Sequence, residues 1–149
     1  MDMSRVTAQW LIENLKLEPH MEGGWFRQTF LDQPANGGRA HSTLIYYLIE
    51  GGDVSKWHRV DAAEVWHWYA GAPLRLTVSP DGLAAQSHVL GTDFLAGERP
   101  QAIVPQQHWQ TARSLGDWSL VGCTVAPGFL VSKFEIADPA TMPHAPAGG

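Results

Sequence analysis

The chain has 149 residues, enough for one domain around one core. Hydrophobic residues make up 44% and charged residues 17%, a globular balance that argues against a disordered chain. The formal net charge is -5 and no Lys/Arg cluster stands against it, so neither nucleic acid nor a membrane surface is expected as a partner.

In chain order, residues 4–15 read as a short helix. Val6, Trp10, Leu11 and Leu15 form its apolar stripe, Ser4 or Thr7 is its cap, and Pro19 is its limit. His20-Met21-Glu22-Gly23-Gly24 is then a loop. After it the pattern changes to short β-branched and aromatic runs separated by glycine- and proline-rich turns. Strands are expected at 25–30, 43–49, 55–59, 64–69, 74–78, 83–90, 101–104, 109–112, 119–125 and 130–136. Ser79-Pro80-Asp81-Gly82 is the clearest turn between two of them. No helices alternate with the strands, so the expected class is all-β, a sandwich or jelly roll with one N-terminal helix. Residues 1–138 are expected to form the single domain. Residues 139–149, rich in Pro, Ala and Gly, are expected to be a disordered tail.

The lone cysteine, Cys123, excludes an intrachain disulfide and lies in the apolar run 120–125, where it reads as a small buried hydrophobe. The N-terminal residues lack the pattern of a secretory signal. No segment approaches the roughly 18 consecutive apolar residues of a membrane span. A soluble, cytoplasmic protein is expected.

The chemistry-bearing stretch runs from Gly52 to Gly71. It reads Gly52, five residues, His58-Arg59-Val60, three residues, Glu64, six residues, Gly71. This resembles the first motif of the cupin superfamily, G-x5-H-x-H-x3,4-E-x6-G, with Val60 in place of the second His. Pro105-Gln106-Gln107-His108-Trp109-Gln110 loosely resembles the second motif, with Gln110 at the position of its metal-binding His. Glu22-Gly23-Gly24-Trp25-Phe26-Arg27, residues 42–48, Trp57-His58-Arg59-Val60, residues 64–71 and Trp109-Gln110 together are similar to one branch, the group called DUF985 or cupin 5. The resemblance implies a double-stranded β-helix, that is, a jelly-roll barrel of the RmlC-like type. It also implies a homodimer and a sugar-epimerase-like label that rests on the fold alone.

A metal-binding cupin presents three His and one Glu. Here only His58 and Glu64 remain, because Val60 has no donor and Gln110 offers an amide. No cofactor is expected. A divalent metal, were one bound, would fall to His58, Glu64 and Gln110. Strand alternation puts His58 and Val60 on one face and Glu64, Trp66 and Trp68 on one face of the next strand, while His67 and Tyr69 point away. His58 and Glu64 are therefore the candidate catalytic pair. An imidazole and a carboxyl set against indole rings suit proton abstraction beside a carbonyl. Glu22, Arg27, Tyr46, Trp66, Trp68 and Gln110 are the candidate ligand contacts. Arg27 is the favoured anchor for an anionic group. Tyr46 stands for a proton-donor role that Tyr47 fills equally well, since alternation does not choose between them. The leading expectation is a metal-independent cupin that binds a small polar metabolite, a sugar or nucleotide derivative, and epimerises or isomerises it. The alternatives are a non-catalytic binding module and an oxygenase-like metal cupin with an incomplete ligand set.

Overall fold

The structure is a computed structural model and describes residues 3–143. Among the described residues the one α-helix, α1 (Ala8–Asn14), is capped by Thr7, whose hydroxyl accepts from the Trp10 N–H at 3.0 Å. The helix starts later than the apolar stripe suggests, and Trp10 stays exposed. Leu11 is the residue it buries, against Leu17, Leu48 and Leu120.

Eleven strands follow among the described residues: β1 (Glu18–Pro19), β2 (Trp25–Leu31), β3 (Thr43–Glu50), β4 (Ser55–Arg59), β5 (Ala63–Gly71), β6 (Leu74–Ser79), β7 (Gln86–Leu90), β8 (Gln101–Val104), β9 (Trp109–Ser114), β10 (Trp118–Ala126) and β11 (Glu135–Ile136). They form two antiparallel sheets facing each other. The first has the order β1-β2-β3-β10-β5-β8 and the second β11-β4-β9-β6-β7. Chain neighbours such as β4 and β5 thus lie in different sheets, the crossing pattern of a jelly roll.

Two of the expected strands differ from those observed. The strand expected from residue 83 begins at Gln86, because the Asp81 carboxylate accepts from the N–H groups of Leu83 and Ala84 and holds them in a turn. The strand expected over 130–136 is a 3-10 turn, Val131–Lys133, followed by the two residues of β11. At the C-terminus, Pro139–Thr141 forms a further 3-10 turn capped by Asp138. The rest of the expected tail, from 144 onward, lies outside the described residues.

The inward-facing residues of the strands run from an open end of the sandwich to a closed one. Along β3 the inward row is Thr43, Ile45, Tyr47 and Ile49. The first two face a cavity, and the last two join Trp66, Leu74, Leu76, Leu90, Val104 and Val121 in a packed core. On β5 the same progression runs from Glu64 to Trp66. On β10 it runs from Val125 through Cys123 to Val121. Each fully buried side chain of that core contributes about 1.5–3 kcal/mol. The closed end therefore stabilises the sandwich and leaves the open end free to hold chemistry.

Candidate functional site

The cavity at the open end has a volume of about 680 Å³. Its walls are mostly hydrocarbon: Phe26, Ile45, Val60, Val125, Phe129 and Phe134. His20, Glu22, His58, Glu64 and Cys123 give it a polar region. Four of these are almost wholly buried, with His58 and Cys123 at 2%, Glu22 at 5% and Glu64 at 7% exposure.

The loop from His20 to Gly24 delivers Glu22. Gly23 and Gly24 both have positive φ, and a Cβ on Gly23 would collide with the Val54 carbonyl oxygen. The Lys56 N–H donates to the Glu22 carbonyl at 2.7 Å, and the Glu22 N–H donates to His20 Nδ1 at 3.1 Å. The Lys56 carbonyl lies 2.7 Å from His58 Nδ1. A carbonyl can only accept, so Nδ1 carries the proton and Nε2 faces outward as a lone pair. One residue's peptide groups therefore fix both members of a pair.

That pair is His58 Nε2 and Glu22 Oε2, 3.0 Å apart. Burial lowers the His58 pKa, an effect the charge of Glu64 partly offsets. Burial likewise raises that of Glu22, an effect His20 partly offsets. Both shifts favour the neutral pair, in which the Glu22 carboxyl donates to the imidazole. Tyr47 backs this arrangement. Its hydroxyl donates to the Gly23 carbonyl, and burial holds its pKa well above the ordinary range.

Glu64 is held differently. Trp66 Nε1 donates to Gln110 Oε1 at 2.8 Å, and Gln110 Nε2 donates to Glu64 Oε1 at 3.0 Å. An indole only donates, so the Gln110 oxygen must face Trp66 and its nitrogen must face Glu64. Burial pushes the Glu64 pKa up to about 7, against lowering by His58 and by the Gln110 bond. Beside it, burial pushes the Cys123 thiol up as well, so the sulfur is a protonated wall atom.

The sequence-derived candidates separate accordingly. His58, Glu64 and Glu22 line one cavity. Gln110 is fully buried and acts on Glu64 rather than on a ligand. Trp66 lies in the core and Trp68 packs against it, its indole donating to the Ala72 carbonyl. Arg27 lies on the outward face of β2, between the cavity-lining Phe26 and Gln28, and reaches toward the Leu15 carbonyl. Tyr46 points to the helix side of the first sheet, where its ring meets Tyr69 edge-on. The tyrosine on the inward face is Tyr47. Neither Arg27 nor Tyr46 lines the cavity. His20 was not singled out from the sequence, yet it lines the cavity. Its edge-to-face contact with Phe26 has a centroid distance of 4.6 Å. Burial lowers its pKa most, partly offset by Glu22. Its only sequence signal was its place two residues before Glu22.

A cupin metal does not fit these donors. Val60 is hydrocarbon, Gln110 turns N–H rather than oxygen toward Glu64, and the free nitrogen of His58 is taken by Glu22. Among the described residues, no three His, Cys, Asp or Glu side chains form a metal-holding group.

Two facing sheets with a His and a Glu directed into the open end define the cupin class of jelly roll. Residues 9–137 match the Cupin_5 family, described as Cupin superfamily (DUF985), and the chain belongs to that family. It is similar to an uncharacterised protein of Saccharomyces cerevisiae, with 30% identity over 144 residues that cover 83% of this chain and 71% of the relative. A solved structure from Shewanella oneidensis is 38% identical and superposes with a TM-score of 0.83 over 89% of this chain and 85% of the other. Oxalate decarboxylase from Bacillus subtilis shares the fold alone, with 13% identity and a TM-score of 0.62 over 79% of this chain and 29% of the enzyme. No helix among the described residues is long and apolar enough to cross a membrane.

Proposed function

We propose that this cupin binds a small molecule in its cavity and moves a proton on a carbon next to a carbonyl, as in epimerisation or isomerisation, without a metal. The observation that carries this reading is the buried Glu64 carboxyl, pushed up to about 7, in the same cavity as the Glu22–His58 pair. A base whose pKa lies near the working pH is partly ionised yet strong enough to take a proton from carbon.

In this reading Glu64 takes the proton from the carbon. The C–H electron pair moves into the adjacent carbon–carbon bond as the carbonyl π pair passes to oxygen. That oxygen receives the Glu22 proton. Return of a proton to the other face, or to the neighbouring carbon, completes the change with no oxidant or reductant. Gln110 positions Glu64, and the Lys56 peptide groups position the pair.

Hydroxy ketones and ketoses incubated in deuterium oxide provide the test. The protein is expected to incorporate deuterium beside the carbonyl, with Glu64→Gln slowing this by about 10²-fold or more. If no candidate exchanges a proton and His58→Ala leaves ligand binding intact, the cavity is a binding module and the acid–base reading fails.

A further inference from the structure

We infer that the cavity takes an uncharged ligand with a hydrocarbon body and a hydroxyl or carbonyl end, and that it excludes phosphorylated and nucleotide-linked sugars. This rests on the reading of the same cavity as the working site, and it narrows the substrate class expected from the sequence.

Among the described residues, the ionisable side chains lining the cavity are Glu18, His20, Glu22, His58, Glu64 and Cys123; no Lys or Arg is among them. Nearby basic side chains are committed elsewhere. Arg39 grips Asp61 with both terminal nitrogens and donates its Nε to the Gly128 carbonyl. Arg59 pairs with Glu135 at 2.8 Å and lies over the Trp109 ring at 4.4 Å. Lys133 stands exposed on the covering segment and does not line the cavity.

An entering phosphate would lose its water, meet no cation and approach two carboxyls. Each of these costs free energy, and nothing in the cavity offsets them. The upward shifts of Glu22 and Glu64 follow from these surroundings, because burial raises both and no Lys or Arg lines the cavity to pull them down. A cation fares little better, because the Glu22 proton already bonds His58 and one Glu64 oxygen already accepts from Gln110. The favourable guest is a body that packs on Phe26, Ile45, Phe129 and Phe134 and carries a hydroxyl or carbonyl oxygen toward the Glu64 carboxyl.

The test is ligand-observed NMR with four molecules that share a phenyl body: 2-phenylethanol, phenylacetate, phenethylamine and phenyl phosphate. The alcohol is expected to bind at least about tenfold tighter than either anion and tighter than the amine. The variant Val131→Arg, at an exposed position on the cavity wall, is expected to raise the affinity for phenyl phosphate relative to that for the alcohol. Equal or tighter binding of an anion or the amine by the wild-type protein overturns the inference. So does failure of the alcohol to bind at millimolar concentration. Binding without deuterium exchange would instead leave the ligand class standing and remove the catalytic reading.

Discussion

Two carboxyls face one cavity, yet they have separate tasks because their partners differ. Glu22 meets the imidazole of His58 and keeps its proton. Glu64 meets an amide N–H, which favours the carboxylate, and burial opposes that preference. The consequence for stability has a definite sign. Between the ordinary value of 4.5 and about 7 the native state holds a proton on Glu64 that the unfolded chain has released. The Glu64 contribution is therefore most favourable below the unfolded value and is lost as pH rises to about 7, a loss of roughly 3 kcal/mol. Glu64→Gln carries no such loss. Its melting temperature relative to wild type should climb between about pH 5 and about pH 8, and parallel curves would refute the shift. Gln110→Leu should leave both the Trp66 N–H and a Glu64 oxygen without a partner, at a cost of about 1–3 kcal/mol in urea denaturation. It should also raise the Glu64 midpoint further, which a leucine at a merely structural position would not do.

At the scale of elements, the segment after β10 closes the cavity. Phe134 lies over the His58 ring with centroids 5.4 Å apart and meets Phe129 edge-on, while β11 pairs with β4 beside them. Truncation by Phe134→Ala should admit water to His58 and return its pKa upward toward 6.5, as read by imidazole NMR. An unchanged His58 midpoint would show that Phe134 does not seal the site. The strand runs and the face shared by Glu64 and Trp66 were legible in the sequence because both follow from apolar content and twofold alternation. The route of the chain over the cavity was not. In β4 a register irregularity lets Ser55 and His58 both point inward, although an unbroken alternation would separate them. Likewise His20 enters the site through a loop held by backbone bonds to Gly24, which no periodicity announces. Arg27 failed as an anchor for a simpler reason. Alternation on β2 gives the cavity to Phe26 and Gln28, but the inward set could be assigned only once the sheet was known.

For the whole molecule, the jelly roll separates stability from function by position along its strands. The fold was readable because the Gly52–Gly71 spacing and the pattern of short strands agree with each other. The chemistry was less so, because Val60 and Gln110 reveal only what a metal site would lack. The role of Gln110 as the amide that orients Glu64 depends on Trp66, 44 residues away. Homodimerisation, expected from the family resemblance, is a proposal at this scale. It draws support from β8, a sheet edge that leaves Ile103 exposed. Sedimentation at micromolar protein should give a dimer, and a monomer would contradict it. The proposed proton transfer depends on a single carboxyl, that of Glu64. Carbon-13 NMR titration of the Glu64 side chain in the ligand-free protein tests it most directly. A midpoint near 7 is expected, and a midpoint in the ordinary glutamate range would rule that role out.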